Sequence, residues 1–248
     1  MKISVITVCW NAEKTIRHTL ESFLEQTHPD REMLIIDGIS KDRTLDIVRS
    51  YNSPLIRIYS EKDKGIYDAM NKGLRLYSGD AVGLLNADDT YHDRNSLALI
   101  AESLETADIV TGACNMVPDH VSGKVDRINK PAPFRRGSFA RGWVPPHPST
   151  YARRKVWDEV GNFDTSYYIC ADYDWMLRAF ELHNFRVTVR DEVLAHMMLG
   201  GLSTSGLKAT ITNMRETTRA RRKWLGAGPV DIALLVKAWG KLRRIAAH

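Results

Sequence analysis

The sequence predicts an α/β protein with a mostly parallel central sheet flanked by helices and a helical C-terminal tail. Three observations predict it. Continuously apolar runs of strand length recur along the first 85 residues, segments with apolar residues at helical spacing separate them, and carboxylates fall where the runs end. Alternation of this kind through residue 105 implies parallel strands joined by right-handed crossovers. Open sheets of that class build their ligand sites at strand ends.

Residues 3–8 read as the first buried strand, and Ile16, Leu20, Phe23 and Leu24 then recur at helical spacing before Pro29. Residues 33–36 are a second strand, after which Ser40 and Asp42 can cap the helix that holds Leu45 and Val48. Residues 56–59 form a third. After Gly65, a helix carries Ile66, Met70, Leu74 and Tyr77 on one face and Asp68, Asn71, Lys72 and Arg75 on the other. Residues 81–85 are too continuously apolar to be half exposed, so they are a fourth buried strand. The second half is less regular. Residues 109–116 form a strand, 118–148 read as hairpins and loops rich in Gly, Pro and basic residues, and a helix over 172–182 points Tyr173, Met176, Leu177 and Phe180 inward. A strand over 185–189, a flexible Gly200-Gly201 turn and two C-terminal helices split by Gly226, Gly228 and Pro229 complete the reading.

The 248 residues suffice for one full domain with a small appendage. The net charge of +5 is uneven: from Gly206 onward, ten Lys and Arg face Glu216 and Asp231, a net of +8 that leaves −3 for the rest. Such a tail favours anionic membrane surfaces or nucleic acid. A nucleic-acid motif and interleaved aromatics are absent, so nucleic acid is not the expected partner. In the last helix Ile232, Leu235, Val236, Trp239 and Leu242 share a face beside Lys237, Lys241, Arg243 and Arg244, so it can lie in a membrane interface or pack on protein. Three cysteines without metal-ligand spacing read as reduced thiols of a cytosolic protein, with Cys9 and Cys170 as packing residues. The first strand starts beside Met1, so no signal peptide is expected, and no apolar run reaches the length of a membrane span.

Four acidic landmarks carry the chemistry. Asp88 and Asp89 leave an apolar strand together, as a turn or as oxygen ligands for Mg2+ or Mn2+ beside a diphosphate. Asp37 and Asp63 each follow a strand, where they form turns or reach a ribose or base. The stripe of Asp68, Asn71, Lys72 and Arg75 is a solvated helix face or part of that site. Asp172 stands at a helix start, as an N-cap or as a general base outside the metal cluster. Asp174 and Arg178, four residues apart, can form a surface pair, and His196 is a strand residue or a ligand for metal or diphosphate.

The series I-T-V-C-W-N at 6–11, I-I-D-G-I-S-K-D-R-T at 35–44, D-K-G-I-Y-D-A-M-N-K-G at 63–73, L-N-A-D-D at 85–89 and A-D-Y-D-W-M-L-R at 171–178 resembles family-2 glycosyltransferases of the GT-A fold. The later G-G-L-S-T at 200–204 is similar to a bacterial exopolysaccharide, colanic-acid-type subgroup. The resemblance implies an inverting, metal-dependent transferase with Asp172 as base and Asp88 and Asp89 as the metal motif. Thr7, Asn11, Asp37 and Asp63 fall on the donor-nucleotide side with Lys64, Asp68, Asn71 and Lys72. Gly200, Gly201 and Ser203 belong to a mobile loop over the donor diphosphate, and His147, Arg178 and His196 lie toward the acceptor. The expected division is a catalytic domain over 1–205, with a donor-nucleotide half (1–105) and an acceptor half (106–205), followed by basic helices over 206–248.

The chain departs from the family pattern at three places. Asp37-Gly38-Ile39-Ser40 stands where relatives have Asp-Asp-Gly-Ser, removing one contact to the base. Ala69-Met70-Asn71 replaces Ala-Arg-Asn, so Lys64, Lys72 or the metal must compensate for a missing diphosphate Arg, and the metal motif begins with Asn86. The resemblance implies transfer of a single hexosyl or deoxyhexosyl unit from a nucleotide-diphosphate sugar to a lipid-linked or oligosaccharide acceptor in bacterial surface-polysaccharide synthesis, at the cytoplasmic side of the membrane. Processive synthesis lacks its Gln-x-x-Arg-Trp signature here, and a pyrophosphorylase lacks its Gly-rich loop. A catalytically silent glycan-binding or accessory subunit is the rival reading, against which Asp88, Asp89 and Asp172 stand intact.

Overall fold

The computed structural model describes residues 1–201 and 206–226. The first half winds β1 (Ile3–Cys9), α1 (Ile16–Leu24), β2 (Arg31–Asp37), α2 (Thr44–Ser50), β3 (Ile56–Ser60), α3 (Ile66–Leu76) and β4 (Ala81–Leu84) into a parallel array ordered β3-β2-β1-β4. All four strands therefore point their C-terminal ends to one edge. Alternate residues of β1 and β2 serve opposite faces: Ile6, Val8, Leu34 and Ile36 join one buried cluster, and Ile3, Val5, Met33 and Ile35 join the other. Helices on both faces bury β1, β2 and β4 along nearly their whole length, which is why these strands carry long apolar runs.

The second half adds β5 (Thr90–Tyr91), α4 (Ser96–Thr106), β6 (Ile109–Val117), β7 (Arg127–Asn129), β8 (Tyr151–Arg153), α5 (Arg154–Val160), α6 (Ala171–Leu177), β9 (Val187–Met198) and α7 (Gly206–Leu225). The sheet continues β4-β8-β6-β9-β5, with β7 paired to the outer part of β6. Here β8 is antiparallel to both β4 and β6, β5 is antiparallel to β9, and β6 and β9 are parallel. The parallel expectation thus holds for the first four strands, while the second half mixes directions. Strand β9 runs well past the expected 185–189. The helix expected over 172–182 is α-helical only to Leu177 and finishes in a wider π-type turn over Arg178–Leu182.

Helix α3 sets up the site. Gly65, at φ 127°, turns the chain from the β3 loop into α3 in a conformation that L side chains avoid. One face of α3 lies so close to β1 that a Cβ on Gly73 would sit 2.5 Å from Ile6 Cγ2. Of the two readings the sequence left open for the polar stripe, a solvated face does not hold at its centre, because Asn71 and Lys72 are buried. Phe163 of the second half covers Asn71, whose Nδ2 donates to the Phe163 carbonyl and whose Oδ1 accepts the Phe163 N–H, both at 3.0 Å. The three cysteines are buried free thiols, as the sequence implied.

Candidate active site

A cavity of about 560 Å³ opens at the C-terminal ends of β1 and β4. Trp10 and Asn11 enter it from the loop after β1, Asp63 from the loop after β3, Tyr67 from the first turn of α3, and residues 86–89 from the loop after β4. Asn11, at φ 49°, ties its loop to the one after β2: its N–H donates to Ser40 Oγ at 2.9 Å and its Oδ1 accepts the Lys41 N–H at 2.8 Å.

Asp172 stands on the opposite wall, at the second position of α6. Cys170 holds the N-cap position and no side chain of its own caps the helix, so the Asp172 carboxylate is not an N-cap. Instead, the Tyr67 hydroxyl donates to Asp172 Oδ1 at 3.1 Å, and His147 Nδ1 lies 3.6 Å from Oδ2. Asn86 Nδ2 donates to His147 Nε2 at 3.1 Å, an arrangement that leaves the imidazole proton on Nδ1, facing Asp172. Burial lowers the His147 pKa against the pull of Asp172 and Asp88, and burial, then the Asp172 charge, raises that of Tyr67. Tyr67 is thus a neutral donor to the carboxylate, and His147, which burial favours in its neutral form, stands beside it. A second cavity, of about 470 Å³, lies beyond: His147, Ile169, Asp172 and Met197 line both, so Asp172 belongs to their common wall.

The acidic pair divides its duties. Asp88 lines the first cavity, its Oδ2 beside Gly201, and burial raises its pKa. Asp89 is almost fully buried, and burial, then the Asp88 charge, raises its pKa well above the carboxylate range. Its Oδ1 accepts the Met198 N–H at 3.1 Å, whereas Oδ2 is buried without a hydrogen-bond partner. Among the described residues no group of three or more His, Cys, Asp or Glu is placed to hold a metal. Two close carboxylates with uncompensated buried charge fit Mg2+ or Mn2+, which take one or two protein carboxylates and fill their shell with phosphate and water oxygens.

The sequence profile of glycosyl transferase family 2 matches residues 4–161. The chain belongs to glycosyl transferase family 2. This family-2 transferase is 28% identical to a PGL/p-HBAD biosynthesis glycosyltransferase of Mycobacterium bovis over 255 residues, covering 96% of this chain and 91% of the relative. Its fold matches S. aureus TarS (residues 1–349) in complex with UDP-GlcNAc, with a TM-score of 0.67 and 20% identity over 94% of this chain and 69% of that one. It also matches the mannosyltransferase PcManGT of Pyrobaculum calidifontis in complex with GDP-Man and Mn2+, with a TM-score of 0.68 and 20% identity over 96% of this chain and 69% of the other. The curled α/β sheet is the GT-A fold that the sequence motifs implied.

Within this family-2 transferase the candidates separate by position. Asn11, Asp63, Asp88, Asp89, His147, Asp172 and Gly201 line the first cavity. Asp63 Oδ1 accepts the Gly65 N–H, and its Oδ2 occupies the space that a Cβ on Gly38 would need, 2.6 Å away. The departure at Gly38 is therefore what admits the Asp63 carboxylate. Others face inward or bond elsewhere. Asp37 is fully buried and accepts from the Ser60 hydroxyl at 2.6 Å and the Ser40 N–H at 3.1 Å, while Thr7 is buried within β1. Asp68 accepts the Lys64 N–H at 2.9 Å, and Lys72 binds the Lys62 carbonyl at 2.7 Å and Glu61 at 3.1 Å. Arg178 pairs with buried Asp174 at 2.9 Å and donates to the Val160 and Asn162 carbonyls. On β9, His196 Nε2 lies 2.9 Å from His92 Nδ1. Gly200 takes φ 98° next to Gly201, and Ser203 lies outside the described residues, as does the expected membrane-facing helix.

Three cavity residues escaped sequence reasoning in these roles. Tyr67 fell in neither the apolar nor the polar face assigned to this helix, and its hydroxyl partner lies 105 residues away. Asn86 registered only as a departure from the metal motif, not as the donor to His147. Trp10 left a usable signal, a large aromatic just past a strand end, and it is 68% exposed beside the cavity.

Proposed function

We propose that the chain is an inverting, non-processive, metal-dependent glycosyltransferase that moves one hexosyl or deoxyhexosyl unit from a nucleotide-diphosphate sugar to a glycan hydroxyl. The observation that carries this reading is the position of Asp172 in the wall between two cavities, with Asp88 in the first. The donor takes the first cavity, its diphosphate toward Asp88, and the acceptor takes the second. Asp172 accepts the proton of the acceptor hydroxyl as that oxygen forms its bond to the anomeric carbon and the carbon–oxygen bond to the diphosphate breaks. Attack from the face opposite the leaving group inverts the anomeric configuration. Tyr67 and His147 hold the carboxylate in place. Asp88, backed by Asp89, would hold Mn2+ or Mg2+, which when bound neutralises charge on the departing diphosphate. UDP-GlcNAc on TarS and GDP-Man with Mn2+ on PcManGT support a donor of this class.

The acceptor is lipid-linked in this reading, and the enzyme works at the cytoplasmic face of the membrane in bacterial surface-polysaccharide synthesis, with the basic C-terminal segment as a peripheral contact. The +8 charge beyond residue 206 supports this contact. Among the described residues no helix is long and apolar enough to cross a membrane.

The test is a screen of UDP-, GDP- and dTDP-sugars with and without Mn2+, on wild type and Asp172→Asn. Metal-stimulated donor turnover that falls about 100-fold or more in the folded variant supports the reading. Donor binding without turnover in the wild type overturns it in favour of a silent binding subunit, and an active Asp172→Asn removes Asp172 as base.

A further inference from the structure

Helix α7 begins the segment that the sequence sets apart as a basic tail, yet its one acidic residue is turned inward. The Glu216 carboxylate accepts three consecutive backbone N–H groups: Oε1 from Tyr168 at 2.7 Å, and Oε2 from Ile169 and Cys170 at 3.0 Å each. These residues lead directly into α6, whose N-cap position, Cys170, has no side-chain cap of its own. Amides that precede a helix have no acceptor within it, and a carboxylate is among their strongest partners. A side chain 46 residues downstream of Cys170 thus anchors the chain where it enters α6, two residues from Asp172.

The rest of α7 is fastened around the same element. Fully buried Arg221 donates to the Tyr173 hydroxyl at 2.8 Å, and Trp224 Nε1 donates to Asp174 Oδ1 at 2.8 Å, so the residues on both sides of Asp172 up to 174 are held from α7. Arg219 lies over the Tyr167 ring at 4.3 Å and donates to Ser166 Oγ at 2.7 Å. On the same helix Asn213 and Thr217 line the second cavity together with Asp172. The helix that would touch the acceptor is therefore the helix that holds the base.

We propose that Glu216 is a positioning residue for catalysis: by binding the 168–170 amides it fixes the start of α6 and so the place of the Asp172 carboxylate between donor and acceptor. This rests on the functional reading above. Glu216→Gln keeps the size of the side chain but turns an NH2 group toward amides that need an acceptor. In the full chain it lowers kcat about 10- to 100-fold, because small misplacements of a reacting group carry large rate penalties. The donor KM, and the Kd for whichever of UDP, GDP and dTDP the wild type binds best with Mn2+, stay within about twofold of wild type. Hydrogen exchange of the 168–170 amides accelerates about 10-fold or more.

Glu216→Asp, which keeps the charge on a shorter stem, recovers part of kcat, and it carries the test if Glu216→Gln does not fold. Arg219→Ala loosens the same helix from Ser166 without touching the three amides, so it lowers Tm and leaves kcat unchanged. Wild-type kcat in Glu216→Gln, or an equal loss of kcat in Arg219→Ala, overturns the proposal while Asp172→Asn remains inactive. An inactive wild type, or an active Asp172→Asn, overturns the functional reading, and the proposal with it.

Discussion

The Tyr67 hydroxyl donates to Asp172 Oδ1 at 3.1 Å, joining the first turn of α3 to the first turn of α6. Tyr67 is buried, and burial together with the Asp172 charge keeps its hydroxyl protonated, so the bond always runs from phenol to carboxylate. The ring packs against Phe163 independently of the hydroxyl.

Removing the hydroxyl alone therefore tests the bond. In Tyr67→Phe the ring contacts survive and Asp172 loses one of its two holders. We expect kcat to fall about 10-fold, the donor KM to stay within about twofold, and Tm to change by no more than about 2 °C. Unchanged kcat in steady-state assays would make the bond a packing feature.

The carboxylates divide differently. Asp88 faces the cavity, whereas Asp89 serves the Met198 amide. Asp88→Asn should abolish metal-stimulated nucleotide binding and leave stability unchanged or slightly raised, because it removes charge repulsion with Asp89. Asp89→Ala strands the Met198 N–H in the interior and should cost about 1–3 kcal/mol in urea unfolding. Calorimetric titration of Mn2+ and nucleotide separates the two, and full wild-type activity in EDTA would defeat both metal assignments.

Much of this was legible in the sequence, for physical reasons. Strands β1, β2 and β4 are buried along nearly their whole length, so each carries a largely apolar run, and the carboxylates at the strand ends mark the site edge. Strands β5, β7 and β8, of two or three residues, are too short to show a period. The polar stripe of α3 stayed open between a solvated face and part of the site because Phe163, which covers Asn71, lies 92 residues away. An N-cap role for Asp172 was equally open from sequence, since Tyr67 and His147 are distant in the chain and Cys170 occupies the cap. For α7 the composition gave the charge and not the partner: Arg221 reads as one more basic residue, yet it is fully buried against Tyr173.

A buried carboxylate far from the cavity governs acid stability. Glu32, on β2, is 4% exposed and accepts from Ser4 Oγ at 2.6 Å and from the Ser78 N–H and hydroxyl at 2.7 and 2.9 Å. Burial raises its pKa, but the bonds from Ser4, Ser78 and Lys2 outweigh that and hold it down to about 2. The folded state thus favours the ionised form. Its contribution is fully present above the unfolded value near 4.5 and is lost as pH falls toward 2. Glu32→Gln should lower stability at pH 7 and flatten the decline between pH 4.5 and 2, as read from urea unfolding at a series of pH values. Parallel pH curves for the two proteins would refute the assignment.

The last prediction concerns Ile39, a β-branched residue held at φ 62° in the loop after β2. This left-handed conformation crowds Cβ against the following carbonyl and costs an L-residue about 1–2 kcal/mol, more than usual for a branched side chain. The side chain recovers little of that by burial, because it is 49% exposed. Glycine removes the strain but frees the unfolded chain, which returns about 0.4–1 kcal/mol to the unfolded state. The difference favours Ile39→Gly by roughly 0.5–1 kcal/mol, or about 1–4 °C in Tm for a chain of this length. Asn, which tolerates the left-handed region without glycine's freedom, should do at least as well. A lower Tm for both variants would mean that the isoleucine side chain contributes more to the loop than its backbone costs.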